Sequence, residues 1–282
     1  MNIEFNEVKK FHNAFNHPVS EVPASLTLDR AIKRYDWMLE EINEFIDAAN
    51  NQDIVEQADA MIDVIYFALG TLVEMGVKPD ELFNIVQHAN MSKIWPDGKP
   101  HFNTQGKVIK PEGWENPHPK LEAAIQNMTS ENLNEIETDI DYQFDAVKKF
   151  HKAFNHPVSD VPVSLTPERA LKRYDWMFEE ICEFLEAVQD EDIVEQADAM
   201  IDVIYFALGT LVEIGVKPGE LFRIVQHANM SKIWPDGKPH YNEDGKVIKP
   251  EGWENPHPKL EAAIQNMIIE AKENNNTLTR VK

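Results

Sequence analysis

The chain has one cysteine, Cys182, and only 27 lysines and arginines against 49 aspartates and glutamates. A lone thiol closes no internal disulfide, so nothing points to a cross-linked scaffold or an oxidising compartment. The formal net charge of −22 leaves no basic patch of the kind that DNA, RNA or an anionic membrane surface demands. A nucleotide ligand stays open, provided that cations or a few placed lysines supply positive charge. Long hydrophobic runs are missing too. The longest uncharged apolar stretch, Val64 to Val73, lies between Asp63 and Glu74, whereas a bilayer span needs about twenty residues. The N-terminal MNIEFNEVKK has no apolar core of signal-peptide length. A cytoplasmic protein is expected. With 43% hydrophobic and 9% aromatic residues over 282 positions, the composition is globular and allows about two domains.

What is present is one sequence written twice. Residues 6–128 match residues 145–267 at a constant offset of 139, without a gap, and differ at 22 positions. The pairs His12/His151, Glu40/Glu179, Asp63/Asp202, Trp95/Trp234 and Trp114/Trp253 hold the register. Two copies are too few for a solenoid, so a tandem duplication of a complete small unit fits better. The reading is unit one at 1–128, an acidic linker leading into the next helix at 129–144, unit two at 145–270, and a frayed tail at 271–282.

Within copy one, Phe5, Val8, Phe11 and Phe15 recur at helical spacing, and His17-Pro18 closes that helix. Thr27 stands as the N-cap of a second, long helix, and copy two strengthens it with Thr166-Pro167-Glu168. Ala31, Tyr35, Met38, Ile42, Phe45 and Ala49 form one core stripe along it. A third helix runs from about Asp53 to Glu74 and ends at Gly76; a fourth begins around Pro79-Asp80. A Pro- and Gly-rich segment follows, in which Asp244-Gly245 of copy two signals a short hairpin. A brief helix around Leu121–Met128 ends the copy. Each copy is therefore an all-α unit of four main helices.

The chemistry lies in carboxylates. Glu40, Glu41 and Glu44 share one side of the second helix, and Glu56, Asp59 and Asp63 occupy a narrow arc of the third. Copy two repeats them as Glu179, Glu180 and Glu183 with Glu195, Asp198 and Asp202. A solvated acidic face is the competing reading. Against it, Asp59 and Asp63 are the only charges from Ala58 to Val73 and share their side with Ala60, Phe67 and Gly70. Buried carboxylates need partners, and the third helix offers no Arg or Lys. A hard divalent cation shared by two facing helices satisfies them. An all-oxygen donor set with no Cys or His at ligand spacing favours Mg²⁺ or Mn²⁺ over Zn²⁺.

These residues resemble the MazG-like, all-α nucleoside triphosphate pyrophosphatase superfamily, which includes dimeric dUTPases and the phosphoribosyl-ATP pyrophosphohydrolase domain. Its EExxE and ExxD-type motifs are matched by EEINE (40–44) and EQADAMID (56–63), and by EEICE (179–183) and EQADAMID (195–202). The run departs from the pattern by a further Asp four residues on, so the metal-binding members among Glu56, Asp59 and Asp63 stay open. DVIYFALGTLVEMGV followed by ANMSK, and the late GKVIKPEGWENP, are similar to the phosphoribosyl-ATP pyrophosphohydrolase-like branch.

The resemblance implies Mg²⁺-dependent hydrolysis of a nucleoside triphosphate between the α and β phosphates, at sites built where helical subunits pair. The duplication then makes an internal pseudo-dimer, with a homodimer of the fused chain as a further level. Glu41, Glu44, Glu56, Asp59 and Asp63, with Glu180, Glu183, Glu195, Asp198 and Asp202, become metal ligands; Glu40 and Glu179 orient or deprotonate water. Asn90 and Lys93, with Asn229 and Lys232, are phosphate-side candidates near the end of the fourth helix, where a lysine equally serves the helix dipole. Lys107, Lys110, Lys246 and Lys249 in the Gly/Pro-rich loops are weaker ones. Trp95, Trp114 and Phe102 are base platforms or packing anchors; His12 and His17, in or beside a Pro-rich loop, suit core or capping roles ahead of substrate contact. Arg30 and Arg34, one turn apart on the second helix, suit phosphate contact and surface ion pairing with Asp36 or Glu residues equally. Cys182 stands where copy one has Asn43, which argues against a catalytic thiol. A phosphoribosyl-ATP pyrophosphohydrolase and a non-catalytic metal- or nucleotide-binding regulator are the alternatives.

Overall fold

In a computed structural model, residues 1–104, 108–128, 138–242 and 247–280 are described. Copy one contributes α1 (Asn2–Ala14), α2 (Leu28–Asn50), α3 (Ile54–Met75), α4 (Pro79–Met91), a hairpin of β1 (His101–Phe102) and β2 (Val108–Ile109), and α5 (His118–Gln126). Copy two contributes α6 (Ile140–Ala153), α7 (Pro167–Gln189), α8 (Ile193–Ile214), α9 (Pro218–Met230), β3 (His240–Tyr241), β4 (Val247–Ile248) and α10 (His257–Arg280). Both hairpins are antiparallel; the Asp244-Gly245 turn expected for the second lies outside the described residues.

Local chemistry sets the boundaries. Asp53 caps α3 by accepting from the amides of Val55 and Glu56, and Gly76 stops it in the left-handed conformation, φ 67°. Asp192 and Gly215 do the same for α8. Thr166 caps α7 through the amide of Arg169. Thr27 holds the N-cap position of α2 without a side-chain capping bond. At the end of the chain, α10 runs as helix to Arg280, over most of the segment read from the sequence as a tail. The residues that follow Gln265 are Asn-Met-Ile-Ile-Glu-Ala-Lys, which hold no proline or glycine to stop a helix.

α3 and α8 are apolar almost all round, and burial explains it. They pack against each other, α2 packs against α7, and the four form a bundle to which both copies contribute equally. Met38, Ile42, Phe45, Met61, Ile62, Ile65 and their counterparts fill it without solvent exposure. No single described helix is long and apolar enough to cross a membrane.

The outer helices cross between the copies. α5 lies on α8, α10 lies on α3, and α1 and α6 reach α9 and α4. Polar groups buried at the seam are paired across it: the Tyr66 hydroxyl donates to Gln226 Oε1 and the Tyr205 hydroxyl to Gln87 Oε1, each at 2.7 Å. Gln57 Oε1 accepts from the Leu165 amide at 2.9 Å, and Gln196 Oε1 from the Leu26 amide at 3.3 Å. Each such bond contributes only about 1 kcal/mol net, but leaving a partner buried and unpaired costs more, so the seam tolerates one register. The structure is the internal pseudo-dimer of two helical units.

Candidate functional site

The acid set of copy one rises from facing helices. Glu41 and Glu44 stand on α2, and Glu56, Asp59 and Asp63 on α3. Glu41, Asp59 and Asp63 are partly buried, while Glu40 and Glu44 are exposed. Burial, the largest cause, and neighbouring carboxylates push Glu41, Asp59 and Asp63 above the usual carboxylate range. Glu180, Asp198 and Asp202 are raised for the same reasons. Oδ1 of Asp59 and of Asp198 is buried with no hydrogen-bond partner. A buried carboxylate oxygen with no partner is poorly stable on its own, and an oxygen-seeking cation would satisfy it. As the side chains stand, no three His, Cys, Asp or Glu groups among the described residues converge on one ion position. The donors are of the kind that a hard cation takes.

The positive charge arrives from the other copy. Lys232, at the end of α9, pulls the pKa of Asp63 down against its burial, and Lys93 of copy one does the same for Asp202. Lys249 is close enough to Lys232 to lower it. Each lysine is held by an asparagine one turn earlier: Lys232 Nζ donates to Asn229 Oδ1, and Lys93 Nζ to Asn90 Oδ1, both at 2.7 Å. Asn229 also bonds Tyr66, one turn beyond Ile62, so helix end and acid helix are tied together. The structure thus brings the Asn and Lys candidates to the acids of the opposite copy. Lys110 and Lys249 lie over the rings of Trp114 and Trp253 at 3.9 Å. Lys107 and Lys246 lie outside the described residues.

The tryptophans of the loops do structural work. Trp95 Nε1 donates to Ile109 O at 3.0 Å and its ring stacks on His101; Trp114 Nε1 donates to Ala89 O at 3.0 Å. They line a cleft of about 990 Å³ beside α4 that none of the acids borders. Phe102 is exposed. The aromatic groups beside the acids are different ones. Trp37 lies one turn before Glu41, Phe67 one turn after Asp63, and their rings stack at 5.8 Å, as do Trp176 and Phe206. Their i, i+4 spacing from the acids was the available signal.

Arg30 and Arg34 do pair with a glutamate, but with the buried Glu74 and not at the surface. Arg30 grips Glu74 with two bonds, at 2.6 and 2.5 Å. Arg34 is buried and donates to Thr71 Oγ1, Glu74 and Phe67 O. It lies against Gly70, where a Cβ would fall 2.3 Å from its Nη2. Both guanidiniums cover the Trp37 ring. His12 is buried and bonds Pro18 O at 2.8 Å through Nδ1. Cys182 is half-buried beside Tyr35.

Two histidines that sequence patterns did not single out also reach the acids. His257 Nδ1 lies 2.6 Å from Glu56 Oε1, and His118 Nδ1 lies 2.6 Å from Glu195 Oε1.

A crystal structure from Exiguobacterium sp. 255-15, described as a proposed NTP pyrophosphohydrolase, is 36% identical over 48% of this chain and 99% of its own, with a TM-score of 0.29. No curated protein matches the chain. The family model for phosphoribosyl-ATP pyrophosphohydrolase matches twice, at residues 8–90 and 147–229. With that match spanning both acid sets and more than half its length, the chain belongs to the phosphoribosyl-ATP pyrophosphohydrolase family, within the MazG-like superfamily, as a tandem duplicate.

Proposed function

We propose that this protein is a cytoplasmic, Mg²⁺-dependent pyrophosphohydrolase that cleaves a nucleoside or deoxynucleoside triphosphate to the monophosphate and pyrophosphate. One observation carries the reading: a partly buried carboxylate cluster with unpartnered oxygens is faced by a lysine from the other copy. A negative cluster beside a fixed positive charge suits a ligand that brings both phosphates and a cation.

Glu41, Glu44, Glu56, Asp59 and Asp63 would hold the cation in one site, and Glu180, Glu183, Glu195, Asp198 and Asp202 in the other. When bound, Mg²⁺ neutralises phosphate charge and makes water more acidic; Mn²⁺ would substitute. Lys232 and Lys93 stabilise negative charge that grows on the departing pyrophosphate. Glu40 and Glu179, exposed beside the ligand carboxylates, take the proton of the attacking water. The new bond joins that water oxygen to phosphorus, and the bridging P–O bond breaks. The Trp37–Phe67 and Trp176–Phe206 stacks, next to the acids, suit contact with the base.

The family's name favours one second reading, phosphoribosyl-ATP as the substrate. Incubation with Mg²⁺ and a panel of ribo- and deoxynucleoside triphosphates plus phosphoribosyl-ATP separates the two. Monophosphate with pyrophosphate from a simple nucleotide supports the proposal; turnover of phosphoribosyl-ATP alone transfers it to the second reading. Diphosphate with orthophosphate, or no turnover of any member, overturns both.

A further inference from the structure

Glu56 begins the acid face of α3, and its side chain is 46% exposed. A glutamate so placed has three rotatable bonds and many accessible rotamers. What selects one is His257, the first residue of α10 in the other copy, at 2.6 Å. The backbone at His257 is tied to its neighbours. Asn255 Oδ1 accepts from its amide at 3.0 Å, Pro256 and Pro258 flank it, and Lys259 pairs with Glu254 at 2.8 Å. The segment before it is pinned to α9 by Trp253 Nε1, which donates to Ala228 O at 2.9 Å. Ala228 neighbours Asn229 on α9, and Lys232 follows just past the end of that helix. One anchored piece of copy two therefore delivers both Lys232 and His257 to the acids of copy one.

The mirror arrangement repeats each part. His118 meets Glu195 at 2.6 Å, Asn116 Oδ1 accepts from the His118 amide at 3.1 Å, and Trp114 Nε1 bonds Ala89 O at 3.0 Å. As a half-exposed pair, either contact adds little to stability. Its effect is on where a carboxylate points.

We propose that His257 and His118 are positioning residues for the opposite copy's cation site, each holding the outermost glutamate, Glu56 or Glu195, one turn from Asp59 or Asp198, from where it closes on a cation. This rests on the metal reading above and adds that each site needs the other copy's last helix. The role is orientation through a carboxylate, without contact with the reacting atoms. Partners beyond the metal's own ligands typically alter affinity about 10–100-fold.

The test counts bound Mn²⁺ by electron paramagnetic resonance, without nucleotide, in an Asp202→Asn background that leaves only the copy-one acid set complete. His257→Ala should weaken Mn²⁺ binding about tenfold or more. His118→Ala, which faces the disabled set, should leave it unchanged. His257→Gln, whose carboxamide can still donate to Glu56, should recover most of the loss, and its circular dichroism separates a positioning effect from misfolding. Equal binding in the His257→Ala and parent proteins overturns the proposal, as does an equal loss from His118→Ala. Absence of Mn²⁺ binding in the wild-type protein overturns the metal reading and this proposal together, whereas unchanged binding in the variants overturns this proposal alone.

Discussion

Lys232 of the second copy acts on Asp63 of the first, and Lys93 of the first acts on Asp202 of the second. A candidate site is therefore not a copy: each draws its acids from two long helices of one unit and its lysine from just past the fourth helix of the other. Crossed double variants read this out directly. Asp63→Asn with Lys232→Ala puts both lesions in one site, and about half of the wild-type turnover should survive. Asp63→Asn with Lys93→Ala puts one lesion in each, and turnover should fall at least ~100-fold, the scale of losing one electrostatic group at a reacting centre. Sites confined within single copies would give the reverse pattern in the same rate assay.

Asp63 and Asp202 are held above their normal pKa by burial and by the other carboxylates, despite the lysines. At neutral pH, keeping them charged costs folding free energy. Asp63→Asn with Asp202→Asn should therefore raise the melting temperature of metal-free protein by a few degrees. In the wild type, Mg²⁺ at about 100-fold over its dissociation constant should stabilise by about 2.7 kcal/mol per site, and the double variant should lose that increment. Differential scanning fluorimetry with EDTA or Mg²⁺ measures both. A variant that melts lower in EDTA and still gains from Mg²⁺ would contradict the role of these two aspartates.

The acid helices were legible because two aspartates in an otherwise apolar run violate the expected pattern, and because Asp53 and Gly76 punctuate α3 at both ends. Helical periodicity says which residues share a face; it is silent on which helix lies opposite. Hence Lys93 and Lys232 could be proposed as phosphate ligands but not assigned to the other copy's acids. Arg34 shows the same limit: its buried partner Glu74 sits at the far end of α3, where sequence alone reads a helix terminus. His118 and His257 were missed because a histidine between prolines in an irregular segment has no periodicity at all. The loop tryptophans drew attention by type, although their N–H groups are spent on Ile109 O and Ala89 O.

Burial pushes His12 and His151 down from 6.5 to about 4, against the pull of the Pro18 and Pro157 carbonyls. Arg34, Glu74 and His17 face His12, and burial outweighs their combined field. Between pH 6.5 and 4 the unfolded chain takes up protons that the native imidazoles refuse. Stability from this source is complete above about pH 6.5 and falls as pH drops. From pH 7 to pH 5 the loss is about 2 kcal/mol per histidine. The carboxylates with raised pKa contribute the opposite slope, so the readout is a difference between proteins. His12→Gln with His151→Gln should reduce the pH 7 to pH 5 loss by about 4 kcal/mol in urea unfolding. An unchanged slope would show that these imidazoles are not its source.

The copies have also diverged in a compensated way. In copy one the Asp80 amide donates to Asn2 Oδ1 at 3.3 Å, and Gln143 and Thr138 donate to the Asp80 carboxylate at 2.9 and 2.8 Å. In copy two the corresponding positions are Gly219 and Asp141, and the Gly219 amide donates to Asp141 Oδ1 at 2.9 Å. A Cβ at Gly219 would lie 2.8 Å from Asp141 Oδ2. At this pair of positions one carboxylate is present in each copy, Asp80 in the first and Asp141 in the second, supplied from opposite sides of the contact. Gly219→Asp would therefore add both a steric overlap and a second charge, and should destabilise by about 2–3 kcal/mol. Asp141→Asn, which recreates the copy-one pairing, should restore most of that in the double variant, giving a coupling of at least ~1 kcal/mol in a thermodynamic cycle. Simple additivity would mean that the two positions changed independently and that the corner tolerates two acids.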